Sequence, residues 1–202
     1  MFLDERTHRG YMYKAYTIAV LSILILIMIY FFKNASFLLR AISSVAVLLF
    51  FYFTDRFFDI RFKIRHYMFV IIVVISSLLL SPLYYVYPHY DKIQHVLQPI
   101  LLASIILHIV WKQPIRIRWK LLFVLFATIS FITVLELGEY ALDLVFDLKL
   151  QGVYLRDFGG LEKFNLILNQ NDDTMIDLTL GVLGSLVYIL YVGFGILFKQ
   201  RR

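Results

Sequence analysis

The chain has 202 residues, of which 61% are hydrophobic and only 17% charged, with a formal net charge of +6 and a mean hydropathy of +0.78. A soluble domain of this length carries about a quarter charged residues, so the composition excludes an ordinary globular protein and points to a polytopic membrane protein. There is no cysteine, which excludes disulfides, thiolate nucleophiles and zinc–thiolate centres.

The length suits a single membrane domain over 1–202 with no separate soluble domain. The positive charge calls for no nucleic-acid partner, because basic residues gather in the cytoplasmic links of membrane proteins. The N-terminus, Met1 to Lys14, is polar and basic and precedes an apolar run. That run is long, and no small-x-small cleavage pattern closes it before Phe31-Phe32-Lys33, so it reads as a retained first span rather than a signal peptide.

A spanning helix needs about 20 apolar residues. Six segments meet this within boundary error: 15–32, 37–53, 67–87, 92–111, 121–146 and 173–198. The expected fold is therefore all-α, a bundle of about six transmembrane helices joined by short links. The N-terminus, the second link, the fourth link and the C-terminus together hold fourteen Lys and Arg, against six on the other side. This asymmetry places both termini in the cytoplasm of a multi-pass protein of the inner (plasma) membrane. Trp111 and Trp119 flank the basic fourth link, as an aromatic belt would.

With this topology, the acidic residues of the last three spans share one side. Asp91 and His95 open the fourth span, Glu136, Glu139 and Asp143 lie near the end of the fifth, and Asp173 and Asp177 open the sixth. All belong to the outer ends. Apart from Arg40, the first three spans read as bare of deep ionisable residues, and His66, His89 and His108 read as isolated. The one long loop, 147–171, carries Gly152 and the pair Gly159-Gly160 and is expected to fold back over the outer face.

Asp91 and His95 are four apart and share a helix face, a workable spacing for two ligands to one cation or for a carboxylate orienting an imidazole. Pro99 marks a kink on the same helix. Glu136 and Glu139, one turn apart, repel unless a cation or shared protons hold them. Asp143 and Asp147 read as shallower interfacial charges. Asp173 and Asp177 are again four apart, and their stripe continues through Gly181, Gly184 and Tyr188. Small residues let helices approach closely, which directs these carboxylates into the bundle. Asp172 or Asp173 suits a helix cap, whereas Asp177 is a full turn too deep for that.

Such a cluster stays ionised only if bases such as Arg40, Lys92 and Arg156 approach or a divalent cation binds; otherwise several carboxyls are protonated. Oxygen-rich ligands with one histidine suit a divalent metal ion, Mg²⁺, Mn²⁺, Zn²⁺ or Fe²⁺. The expected ligand set is Asp91, His95, Glu136, Glu139, Asp173 and Asp177, built from 90–185. Arg40 and Arg156 are expected to meet an anionic group. No catalytic residue is assigned.

Asp91-Lys92-x-x-His95, then Glu136-x-x-Glu139, then Asp173-Thr174-x-x-Asp177 with Gly181 and Gly184 resembles the YjdF-like family of small bacterial and archaeal membrane proteins. That family is similar to the VanZ-like proteins, which share the Asp-Lys-x-x-His pattern and a later acidic residue and are linked to glycopeptide resistance. The resemblance covers about Tyr90 to Ser185 and implies a polytopic inner-membrane protein with a polar site on its last three spans. The long loop before Asp172 departs from it. The functional expectation is a metal site at the extracytoplasmic face of the lipid bilayer, acting on a lipid or lipid-linked phosphate. Cation or proton transport, and non-catalytic assembly or lipid binding, are the alternatives.

Overall fold

The computed structural model describes residues 5–31, 35–146, 150–156 and 164–200. Side chains are described over 10–28, 37–146, 150–154 and 166–198. The fold is an all-α membrane bundle. Its helices are α1 (Glu5–Phe31), α2 (Ala35–Phe57), α3 (Ile64–Val74), α4 (Tyr90–Trp111), α5 (Ile117–Phe146) and α6 (Gln170–Gln200). In hydrocarbon no water is available to backbone N–H and C=O groups, so helices that satisfy them internally are the natural outcome. Among the described residues five helices contain apolar windows of 19 to 30 residues, long enough at about 1.5 Å per residue to cross the membrane core.

The third span expected over 67–87 does not form as one helix. α3 passes into a π-helical turn, Ile75–Leu79, and Ser81–Tyr85 is a separate 3-10 turn. Pro82 supplies the reason: it has no N–H for the helical ladder and its ring crowds the preceding turn. The resulting apolar helix, Ile64–Leu79, is shorter than the five spanning ones.

The chain packs as two compact units, Met1–Leu79 and Leu80–Arg202. In the first, α1 and α2 lie against each other and bury Ile18, Ile25, Ala41 and Leu48. α2 runs on to Phe57, beyond the expected end at 53, and so takes Asp55 into its last turns. Asp55 is fully buried. Its carboxylate accepts from Lys14 Nζ at 2.7 Å, Tyr67 OH at 2.6 Å and the Phe62 backbone N–H at 2.9 Å. Phe62 stacks on Phe51 beside this group, with ring centroids 4.4 Å apart. His66 is fully buried, and its Nδ1 takes the Lys63 N–H at the start of α3.

In the second unit α4, α5 and α6 pack on one another. Ala103, Leu107 and Val124 form its core, with Leu121, Tyr188 and Val192 packed around them. The opposite face of α6 leaves Leu183, Val187, Leu190, Tyr191 and Phe194 exposed, as a lipid-facing surface requires. Between α5 and α6 the chain forms a hairpin of β1 (Val153–Arg156) and β2 (Phe164–Leu168), antiparallel, with Val153 opposite Leu168. Gly159-Gly160 lies outside the described residues.

Candidate functional site

The cluster belongs wholly to the second unit and is assembled from one end of three helices. α4 contributes Asp91, Lys92 and His95 from its first two turns, α5 contributes Glu136, and α6 contributes Asp173 and Asp177. Glycine explains why the helices come close enough. A Cβ on Gly184 would stand 2.4 Å from the backbone oxygen of Val96, the residue after His95, so only glycine fits. Gly181 lies over the end of the Ile132 side chain, where an added Cβ would meet Cδ1 at 2.9 Å. The small face of α6 therefore seats directly on α4 beside His95, and the acids one to two turns earlier reach the same side chains.

Lys92 stands at the centre. Its Nζ lies 2.8 Å from both Asp177 oxygens and 3.1 Å from Asp91 Oδ2, and it donates to Asp173 Oδ1. His95 lies alongside. Its Nε2 is 3.4 Å from Asp91 Oδ1 and 3.9 Å from Asp177 Oδ2, and its Nδ1 faces Glu136 Oε1 at 3.5 Å. Asp173, Asp177 and Glu136 are buried, with side chains 5%, 3% and 5% exposed, whereas those of Asp91, Lys92 and His95 keep 15–22%. The site is thus closed on its α5–α6 side and reached from the α4 side.

The hairpin is fastened to this cluster. Gly152 has φ +87, a left-handed conformation that favours glycine. It turns its N–H onto Asp173 Oδ2 at 2.7 Å. Asp143 accepts the backbone N–H groups of Leu150 and Gln151, both at 2.8 Å, and Gln151 Nε2 donates to Thr174 at 2.9 Å. Asp143 is therefore no ordinary interfacial charge; it clamps the start of the loop. At the head of α6 the cap is Asn169, whose Oδ1 accepts the Asp172 N–H at 2.9 Å, and Asp172 itself is exposed. Asp173, buried and bonded to Lys92 and Gly152, belongs to the cluster rather than to the cap.

The family model of a group of predicted membrane proteins, DUF2238, matches residues 13–197. The chain belongs to this family. No curated protein and no solved structure matches it. Within this DUF2238 chain, Asp91, His95 and Asp177 each offer one ligand atom within 4.8 Å of the others. Two carboxylates and an imidazole at that separation suit a hard or borderline divalent cation, given a modest closure of the side chains. Glu136 faces the other imidazole nitrogen, where a carboxylate orients a ligating histidine.

The remaining expected residues fall elsewhere. Glu139 is half-buried one turn beyond Glu136 and has no hydrogen bond or ion pair with a described residue. Arg40 is on α2, in the first unit. Arg156 ends β1, and its side chain lies outside the described residues. Lys92, weighed from sequence only as one of several bases, is the cation the geometry selects. Its adjacency to Asp91 in a histidine-bearing helix start was the available signal.

Proposed function

We propose that this DUF2238 protein is an integral membrane protein of the inner (plasma) membrane that binds a divalent cation through Asp91, His95 and Asp177. In this reading the site lies at the extracytoplasmic face, both termini are cytoplasmic, and the cation engages the phosphate of a lipid or lipid-linked substrate. One observation carries the reading. His95 has its Nδ1 toward buried Glu136 and its Nε2 toward Asp91 and Asp177, so one nitrogen is oriented by a carboxylate while the other faces a set of oxygens. Bound there, a divalent ion would supply Lewis acidity to a phosphoryl oxygen. The chain's own residues would hold it, and Asp173 would keep the hairpin over the α6 side. The YjdF-like and VanZ-like pattern supports a site on these helices.

A membrane carrier needs polar groups along its whole path. The packed core further along the same helices is Ala103, Leu107 and Val124, which favours a site served from one side.

Elemental analysis of protein purified in detergent tests the metal. Lipid-phosphate turnover with and without chelator, run beside ion flux in liposomes, tests the activity. Stoichiometric metal with chelator-sensitive turnover is expected. Metal-free protein, or flux without turnover, overturns the reading. The orientation has its own test, made clean by the absence of cysteine. A cysteine at Gln113, between α4 and α5, should resist an impermeant thiol reagent in intact cells, and labelling there would invert the topology.

A further inference from the structure

A metal at Asp91, His95 and Asp177 meets an obstacle already seated among the same carboxylates. Lys92 Nζ has three N–H donors, yet oxygens of three aspartates surround it, both of those of Asp177 at 2.8 Å. Asp177 Oδ2 lies within 3.9 Å of His95 Nε2 as well, so the ammonium and a metal ion would share one carboxylate and repel each other. The charges also fail to balance. Four carboxylates, counting Glu136, face one ammonium and one imidazole. A lysine whose whole role was structural would be matched to one or two acids.

We propose that Lys92 is an exchangeable internal counter-ion. It holds Asp91, Asp173 and Asp177 together while no metal is bound, leaves Asp177 when a divalent cation enters, and then turns its ammonium to the anionic phosphate that the cation engages. This rests on the metal reading above and deepens it by naming the group that meets the anion. The side chain is suited to the exchange. It is 15% exposed, starts in the first turn of α4, and has a flexible four-carbon stem that reaches toward water. No covalent bond is made or broken; the Lys92 hydrogen bonds to Asp177 give way to coordination of the cation.

The experiment uses the full chain in detergent, with Mn²⁺ as probe. Metal-free Lys92→Met should melt well below wild type, because its carboxylates have lost their counter-ion, and Mn²⁺ should restore it. Its Mn²⁺ affinity should exceed that of wild type by about tenfold or more, while Lys92→Arg, which keeps the charge, should bind no tighter than wild type. Equal or weaker Mn²⁺ binding by Lys92→Met, with wild type binding normally, overturns the exchange and leaves the metal reading standing. If neither wild type nor Lys92→Met binds Mn²⁺, the metal reading itself has failed. Should Lys92→Met not fold, wild type suffices: amine acetylation followed by peptide mass spectrometry should show Lys92 more reactive with Mn²⁺ than without. Unchanged or reduced reactivity overturns the proposal.

Discussion

Among the described residues each unit of the chain contains a buried network of charged groups, and the two are built in opposite senses. Around Asp55 a single carboxylate receives Lys14, Tyr67 and the Phe62 N–H, so donors outnumber acids. Around Lys92 a single ammonium serves Asp91, Asp173 and Asp177, so acids outnumber cations. A buried charge surrounded by enough partners is complete and acts as a fastening. A buried set of acids short of cations is incomplete and is suited to take up another. The contrast teaches that charge in an apolar chain is not by itself a mark of function; the balance of donors to acceptors is the better guide.

The largest expected effect comes from breaking the complete network. Asp55→Ala leaves the Tyr67 hydroxyl without its Asp55 acceptor and the Lys14 ammonium with the Phe62 carbonyl oxygen in place of a counter-charge, and should cost about 3–5 kcal/mol, read from denaturant or thermal unfolding. Metal content per mole of folded protein should stay the same. A loss below about 1 kcal/mol would place Asp55 with exposed surface pairs and erase the contrast.

Next comes the contact that holds the incomplete network together. Gly184→Ala drives a Cβ into the Val96 carbonyl and should cost about 1–3 kcal/mol as an overpacked site, together with bound metal. Gly181→Ala meets the Ile132 side chain, Cδ1 at 2.9 Å and Cγ2 at 3.0 Å, rather than backbone at 2.4 Å, and should cost less than Gly184→Ala. Equal costs would mean that α4 yields easily at Val96.

Asp177→Asn sharpens the comparison from the other side. It removes a charge from a set that has too many, so stability in chelator should hold or rise while bound metal is lost, both measured on the same preparation. A metal-free wild type together with a stabilised Asp177→Asn would leave the site as a protonated polar cluster. The smallest effect belongs to Asp172→Asn. Asp172 is exposed and its side chain pairs with Asn169 among the described residues, so the change should stay within about 0.5 kcal/mol and leave metal content unchanged.

The difference between Asp172 and Asp177 was legible from the sequence because helical periodicity fixes depth: five residues on, Asp177 is more than a turn further into an apolar helix with glycines on its face. Helix existence was legible for the same reason. The Asp55 network was not. Lys14 lies 41 residues away, in a segment that reads as a basic N-terminal flank, and no local pattern links the two. The broken third span was missed because unbroken apolar residues mask what Pro82 does to the hydrogen-bond ladder. The hairpin escaped because its strands are short and the residue that ties it down, Asp143, belongs to the helix before it.

The contact between Gly184 and the Val96 carbonyl also limits how the second unit can move. A helix slides past a neighbour by bringing the residue one turn away on the same face into the same seat; Tyr188 does not fit where a Cβ would come within 2.4 Å of backbone, whereas Gly181 brings no Cβ. A one-turn shift of α6 on α4 is therefore barred in the direction that brings up Tyr188 and admitted only in the direction that brings up Gly181. Short of that single step, working motion of the site falls to the Lys92 stem, the His95 ring and the hairpin fastened at Asp173.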